Sequence, residues 1–259
     1  MAPKSRLWIA AAIAIAAGLS IVPALAQGRG AAPAARVAGI PRMPDGKPDL
    51  SGFWQAMTSA AFDIEPHSAQ PGVPAGLGII EGDQLPYLPA AAAQKKQNAA
   101  NRAKADPVEK CYLPGVPRIM YMPFPFQIFQ TANHVGLLFE WGHAVRDVYL
   151  DGSQHPKGHI DWWMGDSRGH WEGDTLVVDA VDFNADTWFD AAGNFHSDAL
   201  HLVERYSFAD PDHLTYEVTV EDPKTFSRSW KMSTTFYRHK EKVFQLLEYE
   251  CNALAEGAF

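Results

Sequence analysis

The sequence predicts an all-β fold: a single antiparallel β-barrel or sandwich, with an irregular N-terminal extension and one surface helix. Three observations predict it. Eight or nine short runs rich in β-branched and aromatic residues follow Cys111, separated by turn signals at hairpin-like spacing. Several of these runs alternate in polarity, the period of a strand with one buried face. No strand–helix–strand alternation occurs, so a doubly wound parallel sheet is not expected.

The first 26 residues stand apart from that fold. Lys4 and Arg6 precede an apolar run from Leu7 to Val22, then Pro23 and Ala24-Leu25-Ala26, a small-x-small cleavage pattern. This order predicts a secretory signal peptide rather than a membrane span. Cleavage after Ala26 leaves 233 residues at a formal charge of −10, because the removed piece carries two positive charges and no acidic ones. An acidic exported domain is a poor partner for nucleic acid or anionic lipid, whose affinity comes mostly from Lys and Arg. A periplasmic or secreted location follows.

Residues 27–43 read as a flexible leader of Ala, Gly, Pro and Arg. Residues 44–110 form the extension. Its turn-rich Met43–Asp49 leads into a short strand at Leu50–Gln55, and its Pro- and Gly-rich 56–87 is expected to wrap a surface. Pro89–Ala105 is the one good helix, with Pro at its start and Pro107 beyond its end. It lacks an apolar stripe and belongs on the surface.

The barrel core is expected over 111–259. Phe126–Thr131 and His134–Trp141 flank Ala132-Asn133, a hairpin spacing. Val145–Leu150 ends at Asp151-Gly152. Trp163–Trp171 and Asp174–Val181 flank Glu172-Gly173, with glycine placed for a left-handed turn residue. Leu200–Phe208 ends at Asp210-Pro211. Leu214–Val220, Trp230–Tyr237 and Val243–Cys251 alternate residue by residue. In an oxidising compartment the two cysteines, Cys111 and Cys251, are expected to pair and so tie the start of this region to its last strand.

Strand periodicity also exposes chemistry. Leu200, Leu202, Tyr206 and Phe208 share a face with Glu204, and a carboxylate on a core face must be paired, neutralised or solvated. Glu140 repeats the pattern beside Leu138. Glu204 and Glu140 therefore either line an interior pocket or form structural ion pairs with Arg146, Arg205 or Arg168. Seven of the ten histidines and five of the eight tryptophans fall between residues 134 and 201, mostly at strand ends and loops. That distribution suggests a ligand mouth on the barrel rim. The sharpest local group is Asp190 with His196, Ser197, Asp198 and His201. No HExxH, CxxC, GxSxG or glycine-rich phosphate loop is present, so no metal or cofactor is expected.

The segments PDLSGFWQ (48–55), PFPFQIFQT (123–131), WMGDSRGHWEGDTLVVD (163–179), FNADTWFD (183–190), HSDALHLVERY (196–206) and LLEYEC (246–251) resemble a widespread group of exported bacterial proteins without an assigned activity. The resemblance covers residues 44–252. Gly52-Phe53-Trp54 is also similar to the G-x-W of the first lipocalin strand. That resemblance implies a Trp closing the barrel base against an Arg from a late strand.

Two functional expectations follow. The first is an exported acid–base enzyme, a hydrolase or lyase, acting on an apolar or aromatic small molecule in a barrel pocket. Glu204 and Glu140 would be its interior carboxylates, His196 or His201 its proton carrier, and Arg146 or Arg205 its anion anchor. Trp163, Trp171, Trp188 and Asp190 would line the mouth. The second is a non-catalytic periplasmic binder with a closed apolar cavity. A structural role would instead show a large exposed apolar patch. The oligomeric state is not legible.

Overall fold

A computed structural model describes residues 37–70, 73–158 and 160–251. The expected signal peptide and the first part of the leader lie outside the described residues.

Nine strands close into one barrel in chain order. They are β1 (Gly52–Ala56), β2 (Phe126–Gln130), β3 (His134–Phe139), β4 (Val145–Tyr149), β5 (Asp166–Glu172), β6 (Thr175–Val181), β7 (His201–Asp210), β8 (His213–Glu221) and β9 (Trp230–Arg238). Neighbours pair antiparallel except β4 and β5. Those two run parallel and meet only at Val148–Ser167 and Tyr149–Arg168. The wholly antiparallel expectation is corrected there: residues 150–165 are long enough to carry the chain back along the barrel, as a parallel pair requires. The extension supplies β1, which closes the barrel between β2 and β9.

Alternation sets what faces inward. On β7, Leu202, Glu204, Tyr206 and Phe208 are buried inside, while His201, Val203, Arg205 and Ser207 point outward. β8 buries Leu214, Tyr216, Val218 and Val220. The inner rings touch: Phe126 lies 5.1 Å from Phe236, Phe236 stacks on Tyr216, and Tyr216 lies 5.0 Å from Tyr206. Aromatic side chains therefore fill the interior, where an open pocket was expected.

Trp54 closes one end, fully buried. Its indole N–H donates to the Leu50 carbonyl at 2.9 Å, and the Arg238 guanidinium from the last strand lies 4.1 Å above its ring. This is the contact the Gly-x-Trp resemblance implies. Gly52 is required for it: its φ is +135°, and a Cβ there would lie 2.5 Å from Arg238 Nη1. The nine strands, the parallel pair and the long β1–β2 connection depart from the eight-stranded up-and-down lipocalin barrel.

The opposite end is covered by chain from the β1–β2 and β6–β7 connections. Residues 79–81 pair with β9 beyond the point where β1 leaves it, through Glu81 N–H to the Lys231 carbonyl and Ser233 N–H to the Ile79 carbonyl. Phe189 packs on Trp230 at 5.5 Å, and the Tyr121 hydroxyl donates to the Phe189 carbonyl at 2.7 Å. The expected helix over 89–105 is broken into α1 (Pro89–Ala100) and α2 (Arg102–Ala105). At the break, the Asn101 side-chain amide donates to the Gln97 carbonyl. Among the described residues no helix is long and apolar enough to cross a membrane.

Two expectations at the chain ends are corrected. Val243–Cys251 is not a strand. The barrel is already closed by β9 on β1, so no edge remains to receive it. It runs instead as a strap with Val243 and Leu247 exposed. Phe244 stacks on His239, Tyr249 packs on Trp141, and Cys251 bonds Cys111. The end of the leader is also held in place: Arg42 makes a two-pronged ion pair with Asp174 at 3.0 and 2.8 Å.

Candidate functional site

The interior carboxylate is present and already has its partner. Arg146 enters from β4 and pairs with Glu204. Both side chains are buried. Arg146 makes five N–H contacts: Nε and Nη2 to Ser167 Oγ, Nη1 and Nη2 to Glu204, and Nη1 to the Tyr206 hydroxyl. A guanidinium has five N–H donors, so none is left for a substrate anion. Glu204 Oε1 also accepts the Tyr206 hydroxyl at 3.2 Å and the Tyr216 hydroxyl at 2.5 Å. Burial pushes both phenols well above their ordinary range, which keeps them protonated donors. The structural ion pair is thus the alternative realised, and Arg146 is not an anion anchor. A small cleft of about 110 Å³ opens at the β4–β5 gap beside Arg146, Trp162 and Asp166.

The other expected residues do not converge on this pair. Glu140 lies buried just beyond the end of β3, where its carboxylate accepts the Leu247 N–H at 2.7 Å and holds the strap. His196 is buried in the β6–β7 connection. Its Nδ1 bonds the Ser197 carbonyl, and its Nε2 meets the Thr187 hydroxyl at 2.6 Å. Burial lowers its pKa, so it stays neutral with both nitrogens occupied, which removes it as a proton carrier. His201 faces outward between Asp179 at 3.1 Å and Glu221 at 3.3 Å, and the Asp179 hydrogen bond raises its pKa. Arg205 is also outward, paired with Glu172. Trp163 packs on Tyr112, Trp171 against the outside of the core, and Trp188 bridges to Phe195, so the three form no common mouth.

A different constellation forms on the capping layer. A cleft of about 480 Å³ lies between the helices and the covering connections, with Phe62, Asp63, His67, Arg102, Ala191 and Ala192 in its walls. That volume is in the range of small-molecule sites. Asp63 Oδ1 accepts the Glu65 N–H at 2.9 Å and the Asn194 amide at 3.3 Å. Its Oδ2 has no hydrogen-bond partner among the described residues. Burial raises the Asp63 pKa.

The same Asn194 amide nitrogen donates to Asp190 Oδ2 at 2.6 Å. The Tyr87 hydroxyl donates to Asn194 Oδ1 at 3.1 Å and so fixes which way that amide points. Asp190 is fully buried rather than at a rim, which corrects its place as a substrate contact. It accepts four N–H groups, from Ile64, Ala192, Asn194 and the Asn194 side chain. Burial and the Asp63 charge nevertheless push its carboxyl up to about 7. His67 is pinned by the Glu65 and Pro74 carbonyls on its two ring nitrogens. Among the described residues no group of three or more His, Cys, Asp or Glu is placed to hold a metal.

Helix α1 meets this layer closely at Gly193. Its φ is +87°, and a Cβ would lie 2.7 Å from Ala99 N and 2.8 Å from Asn98 Cβ. Gly193→Ala is therefore expected to cost about 2 kcal/mol through left-handed strain and overpacking. Urea unfolding measures it; an unchanged midpoint would show that α1 does not press on this loop.

Asp63, Asn194, Tyr87 and Arg102 were not singled out from the sequence. Asp63 lies in the aperiodic 56–87 stretch, and no local signal links it to a side chain 131 positions away. No family model matches the chain, and no curated protein matches it.

Proposed function

We propose that the protein is an exported small-molecule acid–base enzyme, a hydrolase or lyase, with Asp63 as the group that exchanges a proton with a substrate in the cleft. The reading rests on how Asp63 is held: one oxygen is fixed by two donors, the other has no hydrogen-bond partner among the described residues, and the residue lines a cleft of small-molecule size. Asp190 and Asn194 are positioning residues. The shared amide fixes the Asp63 carboxyl, and burial raises its pKa. Export is supported by the Cys111–Cys251 disulfide, since such bonds persist in oxidising compartments.

Turnover on a panel of small aromatic esters and 3-hydroxy acids tests this. Asp63→Asn is expected to lower kcat at least about 100-fold. Asp190→Asn should chiefly move the pH of half-maximal rate. A folded Asp63→Asn enzyme with full turnover would sink the assignment. A non-catalytic binder is the second reading, favoured by one observation: the nitrogens of His67, the other acid–base side chain named in the walls, are both spent on backbone carbonyls. A ligand recovered unchanged from purified protein would support it.

A further inference from the structure

We propose that the cleft selects a small organic anion, a carboxylate with an apolar body, and that Arg102 supplies the charge that recognises it. The inference rests on the reading of this cleft as the functional site and names its ligand class.

Arg102 differs from the other arginines. Arg42, Arg118, Arg146, Arg168 and Arg205 each hold a carboxylate. Arg228 and Arg238 donate to backbone carbonyls. Among the eight arginines of the described residues, Arg102 alone makes no side-chain hydrogen bond or ion pair with another described residue. It is half-buried and lines the cleft, at the first position of α2 after the break at Asn101. A guanidinium is always charged and is shaped for two-pronged carboxylate binding. In a chain whose formal net charge is −8, long-range attraction works against an anion. Any anion preference must therefore come from a local cation, and Arg102 is the one lining this cleft.

The remaining surface fixes the body of the ligand. Ala99, Ala100 and Ala103 of the helices face Ala191 and Ala192 of the capping loop, with Phe62 alongside. With Val73, these methyl groups and one ring give the cleft an apolar wall that suits an aliphatic or aromatic body, and the Gln70 amide adds a polar contact at its edge. Burial raises the pKa of Asp63, which eases the approach of an anion, since a carboxyl in its protonated form can donate to a carboxylate oxygen.

The experiment is an NMR and calorimetric titration of the full chain with phenylacetate, phenylacetamide and phenethylamine at pH 7. Phenylacetate is expected to bind about tenfold more tightly than the neutral amide, and the amine not at all. Arg102→Gln should erase the tenfold preference, with Arg102→Lys keeping part of it. Shifts should cluster at Phe62, Ala99 and Ala191. Equal binding of acid and amide, a preference surviving Arg102→Gln, or no binding of any probe up to about 10 mM would each overturn the proposal. Binding rather than turnover is read here, so the result is independent of the turnover test of Asp63. Failure here leaves an acid–base site for neutral substrates; failure there leaves an anion-binding cleft.

Discussion

Arg146→Met and Glu204→Leu are each expected to cost the fold about 3–5 kcal/mol, because each leaves the other charge buried without its counter-ion. Glu204 lies at the centre of the aromatic interior, where no water-filled cleft is needed to satisfy it: Arg146 and two tyrosine hydroxyls already do. The double variant Arg146→Met/Glu204→Leu should cost less than the sum of the two, since it removes both charges together. It should not be neutral. The Tyr206 and Tyr216 hydroxyls would lose their acceptor, and each buried unsatisfied group costs about 1–3 kcal/mol. Urea unfolding of the four proteins measures this cycle. Additive single-site costs would show that the pair is not the coupled unit the geometry describes. Since the five donors of Arg146 are spent inside the protein, neither single variant should alter the charge preference of the separate cleft.

Much of the barrel was legible in the sequence because a strand with one buried face writes its own period. β7, β8 and β9 alternate residue by residue, and the inner face of β7 appears in the structure with the predicted membership. Glu204 stood out for the same reason, as a charge in an apolar register. What the period could not decide was its partner. Arg146, Arg168 and Arg205 are all strand residues near charged neighbours, and only barrel closure places Arg146 inside and Arg205 outside. The same limit explains Val243–Cys251, which alternates like a strand but finds no free edge. The capping layer was not legible. Its contacts are made by carboxylates accepting backbone N–H groups and by single aromatic packings, which impose no spacing on the chain. Asp190 illustrates this: it was singled out as a rim ligand contact, whereas its four N–H bonds and complete burial make it the anchor behind Asp63.

Between pH 5 and 8 the protein is expected to lose stability as pH rises. Asp190 is the main cause. Its carboxyl is held up at about 7 against an ordinary 3.8, so the folded state binds its proton more tightly than the unfolded state does. The stabilisation is complete below the unfolded value and is lost as pH climbs through the folded one, a full change of about 4 kcal/mol of which about 3 kcal/mol falls above pH 5. His201 adds a smaller effect of the same sign. Its raised pKa stabilises the fold at low pH and ceases to do so as the imidazole deprotonates, and its partial exposure weakens the effect. His196 opposes both. Burial lowers its pKa, so its contribution is present above 6.5 and fades as pH falls and the unfolded chain takes up the proton. Denaturant unfolding at pH 5, 6, 7 and 8 should therefore give a falling curve in the wild type. The slope should steepen in His196→Gln and flatten in Asp190→Asn. Asp190→Asn should also be less stable throughout, because its amide turns an N–H toward one of two pairs of backbone and side-chain donors. A curve that keeps its full slope after Asp190→Asn would show that this carboxyl does not titrate in the window. Asp63 would then keep the Asn194 amide that positions it but lose the titrating neighbour expected to move its pH profile.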